Sequence, residues 1–340
     1  MSDDNFNFLF DLKDKIDSNS NSNNNSDNSE DNNEEYEGDP NLKPILKCEK
    51  KISSHSDAVE NVAIFPSGNL ISVSHDESIV IYNTNFEIIQ KIPKAHNSLI
   101  WDVQIKDEEN YATCSTDNSI KFWQKDSSEK KFILKETIEN AHAVVNKILY
   151  TKNGNLISCS VDGTIKIWEE VNNKHQCLTK LNHLDDVRSI LLCEDKNILI
   201  SSGEKGTKFW NLTNYECLIT IVDGWADYGN SMKRIDDDKI VVGGHSSENL
   251  SVISINEKKI IKKVKAEYGC YGMGVDKEKG YFFVGGEDGI LFVYKIDNYD
   301  IISVDGRAHK ADINGFDRLN DGRIITWSSD DKIKVWSYIS

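Results

Sequence analysis

Long hydrophobic runs are absent from this 340-residue sequence. No stretch approaches the ~18–20 consecutive apolar residues that span a bilayer, so we expect no membrane segment. The N-terminus is acidic and lacks the apolar core of a secretory signal, so we expect no export. The sequence therefore predicts a cytoplasmic protein, with the nucleus as the alternative location.

Paired cysteines are missing as well. The seven cysteines are widely scattered, and no two of them form a CxxC pair. This usage fits reduced thiols in a cytosolic or nuclear protein. Cys114 and Cys159 lie in apolar runs typical of strands, and we expect both side chains to be buried.

Positive charge is scarce. The chain holds only five Arg and has a formal charge of −16, whereas direct nucleic-acid contact requires a basic surface. The scarcity of Arg also disfavours phosphopeptide binding. Residues 1–40 contribute −10 of this charge and residues 41–340 only −6. Direct binding of nucleic acid is therefore not expected, and the folded part is mildly acidic.

A polar, acidic segment begins the chain. Residues 18–35 contain no apolar side chain and cannot bury enough surface to offset the entropy of ordering the backbone. We predict a disordered tail over residues 1–40 and a folded domain over 41–340. Within the tail, residues 6–16 carry apolar side chains at helical spacing. This segment is either a short helix that docks on a partner or an inert terminus.

The sequence contains seven related units. Five begin at a histidine, as in "HAVVNKILYTKNGNLISCSVDGTIKIWEE", and two weaker units lack the histidine. The spacings between unit starts are 41–46 residues, which indicates a repeat architecture. The units start at or near His55, His96, His142, His183, Trp225, Glu267 and His309.

Each unit except the last contains four short β-type runs. An alternating run follows the histidine, a second run such as "LISCS" follows a turn, a third ends in an aromatic residue as in "TIKIW", and a fourth such as "CLTKL" leads to the next unit. Short alternating runs between Gly, Asn and Asp turns, with no long helical pattern, predict an all-β fold. Seven units of four antiparallel strands predict a seven-bladed β-propeller.

The spacing, strand order and residue types resemble the WD-repeat (tryptophan–aspartate) β-propeller family over residues 43–338. In that family a His, a Ser or Thr, an Asp and a Trp form a hydrogen-bonded network within a blade, which satisfies buried polar groups. A hydrolase triad is disfavoured because the set recurs four times, and a shared metal because one His per blade separates the ligands. The matching positions are His55, Ser72 and Asp76, with Tyr82 in place of Trp; His96, Thr113, Asp117 and Trp123; His142, Ser158, Asp162 and Trp168; and His309, Thr326, Asp330 and Trp336.

Three units depart from this pattern. Glu204 or Lys205 occupies the Asp position of the fourth unit, and Trp225 and Glu267 replace the His of the fifth and sixth. We expect these blades to depend on packing more than on polar bonds. Trp225 and Trp327 are expected in the core.

The last unit ends without a fourth run, and an extra run of this type precedes the first. Residues 43–52, "KPILKCEKKI", supply the extra run. We predict that this segment forms the outer strand of the last blade, which closes the ring and covers an open sheet edge.

The resemblance also implies a candidate binding surface. In the family, the first strand of each blade begins at the top face. The residues flanking its first buried aliphatic side chain point to that face, as does the residue before the structural Asp. Alternation turns Trp101 away from Ile100 and Val103, and large aromatic residues dominate interface energetics. Trp101 is predicted to contact a partner; the alternative is that it fills the central channel. The candidate residues are Leu99, Trp101, Arg188, Tyr228, Tyr271, Glu60, His75, Glu287 and Asp312.

No ligase, kinase, phosphate-loop or hydrolase motif occurs in the sequence. We therefore expect a non-enzymatic scaffold or adaptor without cofactor, metal or small-molecule substrate. Its top face would bind a peptide or protein domain within a multiprotein complex. Fold alone does not fix function, and two alternatives stay open: a substrate-recognition subunit of a ubiquitin-related complex, and a component of an RNA-processing complex.

Overall fold

A computed structural model describes most of the chain after the predicted tail. The described residues are 42–339, without 184, 204, 223–230, 245–248 and 267–268. The predicted tail with its 6–16 segment lies outside the described residues, as does Trp225.

The regular structure in the described part of the chain is almost entirely β-strand. Two 3-10 turns interrupt it, at Glu194–Lys196 and Glu287–Gly289. The strands form seven four-stranded antiparallel sheets, one for each blade.

Every blade has a first, innermost strand and three strands that follow it outwards. The innermost strands are β2 (Val59–Ile64), β6 (Ile100–Asp107), β10 (Val145–Tyr150), β14 (Val187–Cys193), β18 (Ser231–Arg234), β22 (Gly272–Asp276) and β26 (Ile313–Arg318). The second strands are β3 (Leu70–Ser74), β7 (Asn110–Ser115), β11 (Leu156–Ser160), β15 (Ile198–Gly203), β19 (Lys239–Gly243), β23 (Tyr281–Gly285) and β27 (Ile324–Ser328).

The third strands are β4 (Ile79–Tyr82), β8 (Ile120–Lys125), β12 (Thr164–Val171), β16 (Gly206–Asn211), β20 (Asn249–Ser254), β24 (Leu291–Lys295) and β28 (Ile333–Tyr338). The outer strands are β5 (Ile88–Ile92), β9 (Phe132–Ile138), β13 (Lys174–Asn182), β17 (Cys217–Ile221), β21 (Lys259–Lys265), β25 (Ile301–Asp305) and β1 (Leu46–Ile52).

The innermost strands lie side by side in chain order, and β26 lies next to β2, so the blades close into a ring. The last blade takes its outer strand from the start of the described chain. β1 pairs antiparallel with β28, from Leu46 opposite Tyr338 to Ile52 opposite Ile333. The predicted seven-bladed propeller, closed by an N-terminal strand, is confirmed.

The apolar core lies between neighbouring blades. Ile71 and Ile81 of the first blade pack in one cluster with Ile100, Val103 and Trp123 of the second. All five residues of β3, β11 and β27 are buried, which explains why these strands read as nearly continuous apolar runs. Cys114 and Cys159 are fully buried, as the sequence predicted.

The polar residues of the repeat bond to one another inside a blade. In the second blade, His96 Nδ1 lies 3.0 Å from Asp117 Oδ2 and His96 Nε2 lies 2.7 Å from Thr113 Oγ1. The indole N–H of Trp123 donates to the same Thr113 oxygen at 2.9 Å. These bonds orient the strands because each buried polar group has a partner. The same pattern recurs around His55, His142 and His309, with the hydroxyl of Tyr82 bonded to Ser72 at 3.0 Å in the first blade.

The fourth blade keeps a histidine–carboxylate bond from an unexpected position. His183 Nδ1 lies 2.5 Å from Oδ1 of Asp185, only two residues along the chain. The other oxygen of Asp185 accepts the backbone N–H of Lys205, which lies at the expected Asp position. We expected this blade to depend on packing more than on polar bonds, and it nevertheless keeps this part of the polar network. A carboxylate near the histidine replaces the one missing from the turn.

Candidate functional site

The candidate residues of the top face lie at one end of the blades. In the first blade, Val59 at the start of β2 lies opposite Ser74 at the end of β3. The start of the innermost strand is thus next to the turn that joins the second and third strands. Every blade shares this strand order. We call this end of the ring the top face.

A β-bulge at the start of the innermost strand directs side chains there. In β6 the register shifts between Ile100 and Asp102, so Trp101 is an extra residue in the pairing with β7. Ile100 and Val103 are both fully buried although they are three positions apart. Simple alternation does not explain this, whereas a bulge re-aims the side chains on either side of it. Equivalent shifts occur at Glu60, Asn146, Arg188 and Asn314.

Two of the bulge residues hold the ring together. Asn146 donates its side-chain N–H to the carbonyl of Val187 at 2.8 Å, and Asn314 donates to the carbonyl of Val59 at 3.0 Å. In both cases the acceptor is the first buried aliphatic residue of the next blade. The side chains of Asn146 and Asn314 therefore form hydrogen bonds between neighbouring blades. Glu60, Trp101 and Arg188 occupy equivalent positions with different side chains.

Glu60, His75 and Trp101 are in contact on the top face. His75 Nε2 lies 2.9 Å from Glu60 Oε1, and each side chain is only 13% exposed. The His75 ring meets the Trp101 ring edge-on, with a centroid distance of 5.2 Å. Burial lowers the pKa of His75, but the Glu60 carboxylate outweighs burial and the pKa lies above its ordinary value. The first two blades thus present an aromatic ring beside an ion pair.

Trp101 is half-buried and packs against the apolar cluster between the second and third blades. Its indole nitrogen is buried and has no hydrogen-bond partner within the described residues. Buried indole N–H groups usually have a partner. Leu99, two positions earlier, is also half-buried, and its carbonyl accepts the backbone N–H of Thr116 at 3.0 Å. Trp101 therefore offers apolar surface, and its indole N–H is a buried donor without a partner among the described residues.

The other predicted residues form two further groups. Arg188 donates to Asp186 at 2.9 Å. Tyr271 bonds to Glu287 and lies near Asp312, and burial together with these carboxylates raises the pKa of its hydroxyl well above the ordinary value. Tyr228 lies outside the described residues.

Sequence reasoning missed Asp102, which follows Trp101. Its side chain is buried and accepts hydrogen bonds from the Asn61 amide and, at 2.9 Å, from the backbone N–H of Ile148. Burial raises the pKa of Asp102 despite these bonds. Asp102 thus joins three blades beneath Trp101. A carboxylate among core-facing strand positions was the only signal for it in the sequence.

Trp327 lies in the core, as expected. It is 6% exposed and donates its indole N–H to the carbonyl of Glu60 at 2.9 Å. This bond joins the last blade to the first at Glu60, the residue that pairs with His75. Trp327 therefore supports the candidate site without being presented on it.

Comparison with known families agrees with this geometry. The family described as "WD domain, G-beta repeat" matches residues 46–83, 87–124 and 134–169. Each match begins inside an outer strand or within one residue of it, and ends inside the third strand of the next blade or within one residue of it. The sequence unit is therefore offset from the blade by one strand. The chain is a seven-bladed β-propeller that carries WD repeats at these three places.

A relative of this WD-repeat propeller is a probable cytosolic iron-sulfur protein assembly protein, a CIAO1 homolog from Caenorhabditis elegans. The two are 36% identical over 94 residues, which is 26% of this chain and 28% of the relative. The matched region thus spans little more than a quarter of either protein.

The described part of the propeller contains no cluster of three or more His, Cys, Asp or Glu side chains arranged to hold a metal ion. No helix within it is long and apolar enough to cross a membrane. WD-repeat propellers are generally non-catalytic interaction folds. The top face presents groups that can take part in aromatic stacking, ion pairing and hydrogen bonding.

Proposed function

We propose that this propeller is a non-enzymatic scaffold that binds a peptide or protein domain on its top face, centred on Glu60, His75 and Trp101. The observation that carries the proposal is the buried, unpartnered indole N–H of Trp101 next to an exposed part of the same ring. A rotation of the side chain that exposes this donor would let a partner carbonyl accept its hydrogen bond, and the ring would supply apolar contact area. Trp residues in such positions commonly dominate binding energies.

The neighbouring groups extend this surface. Arg188 with Asp186 in the fourth blade, and Tyr271 with Glu287 and Asp312 in the sixth and seventh, place further polar and aromatic groups on the same end of the ring. We propose that they contribute to selectivity, because polar groups around an interface fix register more than they add affinity.

The relative suggests where to look for the partner. Its name refers to cytosolic iron–sulfur protein assembly. We propose that this chain is a cytoplasmic adaptor within a multiprotein complex, and that proteins of iron–sulfur assembly are the first partners to examine. A ubiquitin-related or RNA-processing complex would leave the scaffold role intact and change only its setting.

The test is quantitative affinity purification with three variants. Trp101→Ala removes ring and donor, and Trp101→Phe retains a ring without the N–H. Leu178→Ala, on β13, is the control because Leu178 is 46% exposed but lies on an outer strand. We expect top-face partners to be lost with Trp101→Ala, reduced with Trp101→Phe and retained with Leu178→Ala.

Thermal unfolding must show that the variants remain folded. If folded Trp101→Ala protein retains every partner at the wild-type level, the proposed surface is wrong. If Trp101→Phe binds as well as wild type, the indole N–H makes no bond to the partner and only the apolar contact remains supported.

A further inference from the structure

The outer strands of the propeller are open sheet edges. An exposed edge presents backbone N–H and carbonyl groups that can pair with another strand, and charged side chains normally prevent this. Six of the seven outer strands carry at least one charged residue. The strongest case is β21, whose sequence KIIKKVK contains four lysines.

β17 is the exception. Its sequence, Cys217–Ile221, is CLITI and contains no charged residue. Four of its five side chains are exposed, with Leu218 at 45% and Ile219 at 38%, and the following Val222 is 75% exposed. Among the described residues, no strand pairs with the outer edge of β17. The fourth blade thus ends in an apolar edge without a charged residue.

We propose that β17 pairs antiparallel with β17 of a second copy of this chain. A two-fold axis at Ile219 places Ile219 opposite its own symmetry mate, Leu218 opposite Thr220, and Cys217 opposite Ile221. Cross-strand pairs of β-branched and apolar side chains stabilise antiparallel strands. No like charges meet, because Glu216 falls opposite Val222. The pairing joins the two fourth blades into one eight-stranded sheet with an isologous interface.

The self-complementary register identifies a second copy as the occupant, because no pair of charges arises when β17 lies opposite itself. A basic partner would gain little electrostatic attraction from a strand without carboxylates. The binding of such a partner would also weaken as the salt concentration increases. Two copies of this chain, each with a formal charge of −16, repel one another except where charge is absent. Salt screens this repulsion, so dimerisation should strengthen as ionic strength increases.

The test is sedimentation equilibrium of the full chain over a roughly hundredfold concentration range, since association follows mass action. We expect the wild-type mass to rise from the monomer value of 38.6 kDa towards twice that value. In Ile219→Lys two ammonium groups would lie opposite each other, and we expect dimerisation to weaken by about tenfold or more.

The matched control is Ile261→Lys, a substitution at a 40% exposed position on the outer strand of the fifth blade. It should dimerise like wild type. A wild-type protein that stays monomeric throughout, or an Ile219→Lys protein that dimerises as wild type does, overturns the proposal.

Crosslinking tests the register without changing the edge. In a chain with Cys48→Ser and Cys177→Ser, Cys217 is the only exposed cysteine of the described residues. The proposed register separates the two Cys217 residues by four positions along the strands, or ~13 Å, which suits a bis-maleimide of that length. We expect a crosslinked dimer that disappears with Cys217→Ser. A dimer that is not crosslinked would place the interface elsewhere and contradict the proposal.

Discussion

Ser158 and Ser201 occupy the same position in neighbouring blades and differ by one hydrogen bond. Ser158 accepts the indole N–H of Trp168 at 2.8 Å and lies 2.7 Å from Nε2 of His142. Because Nδ1 of His142 faces the Asp162 carboxylate, Nε2 is the acceptor and the Ser158 hydroxyl donates to it. Ser158 therefore links donor and acceptor in one chain of bonds.

Ser201 accepts the indole N–H of Trp210 at 2.8 Å in the same way. The Nε2 atom of His183, however, is buried and has no hydrogen-bond partner within the described residues. Ser201→Ala would leave one further buried polar group without a partner, whereas Ser158→Ala would leave two. Both serines are fully buried, so each substitution removes one buried hydroxyl group.

Each buried polar group left without a partner costs about 1–3 kcal/mol. We therefore expect Ser201→Ala to lower the free energy of unfolding by about 1–3 kcal/mol and Ser158→Ala by about 2–6 kcal/mol. The assay is urea unfolding at neutral pH, with the requirement that the slope with denaturant is unchanged. Equal midpoints for the two variants would refute the assigned bonds.

A double-mutant cycle separates the two bonds of Ser158. Trp168→Phe removes the indole N–H, so only the bond to His142 is left for Ser158→Ala to break. The loss on Ser158→Ala should then be smaller by about 1–3 kcal/mol than in the wild-type background. No difference between backgrounds would mean that Trp168 does not depend on Ser158.

Two further predictions concern ring closure and pH. A chain that begins at residue 53 loses β1 and should melt at a lower temperature than one that begins at residue 42, because the last blade loses its outer strand; equal melting temperatures would contradict the closure. Acid should destabilise the propeller. Burial lowers the pKa of His96. Burial also opposes the ionisation of Asp117, but the hydrogen bonds to the Asp117 carboxylate outweigh burial and hold its pKa far below the ordinary value. The unfolded chain therefore binds more protons, so the urea midpoint should fall as pH drops below about 6.5 and fall more steeply below about 4; a higher midpoint at pH 5 than at pH 7 would contradict it.

Much of the architecture was readable from the chain itself. Strand boundaries follow from local alternation and turn residues, and the recurring His, Ser or Thr, Asp and Trp positions follow from the repeat. The closing strand followed from counting, because one outer run was missing at the end and one was present before the first histidine. Leu46 and Ile52 of that strand are buried against the last blade, as this argument requires.

The candidate site was less predictable. The position of Trp101 followed from the family pattern, but the bulge that directs it depends on pairing with β7. Asn146 occupies the position of Trp101 in the third blade, but its side chain bonds to the next blade. The contact of His75 with Glu60 also needed the fold, since 15 positions of sequence separate them.

The sequence alone therefore determined the number of blades, their strand order and the residues that stabilise each blade, because these depend on spacing within a unit. Only the tertiary structure decided which variable residues remain available for binding and which carboxylate pairs with His183. Such properties depend on what lies across a blade interface or beyond a sheet edge. These properties depend on which residues lie close together in space. A repeat that encodes each blade separately does not specify contacts between blades.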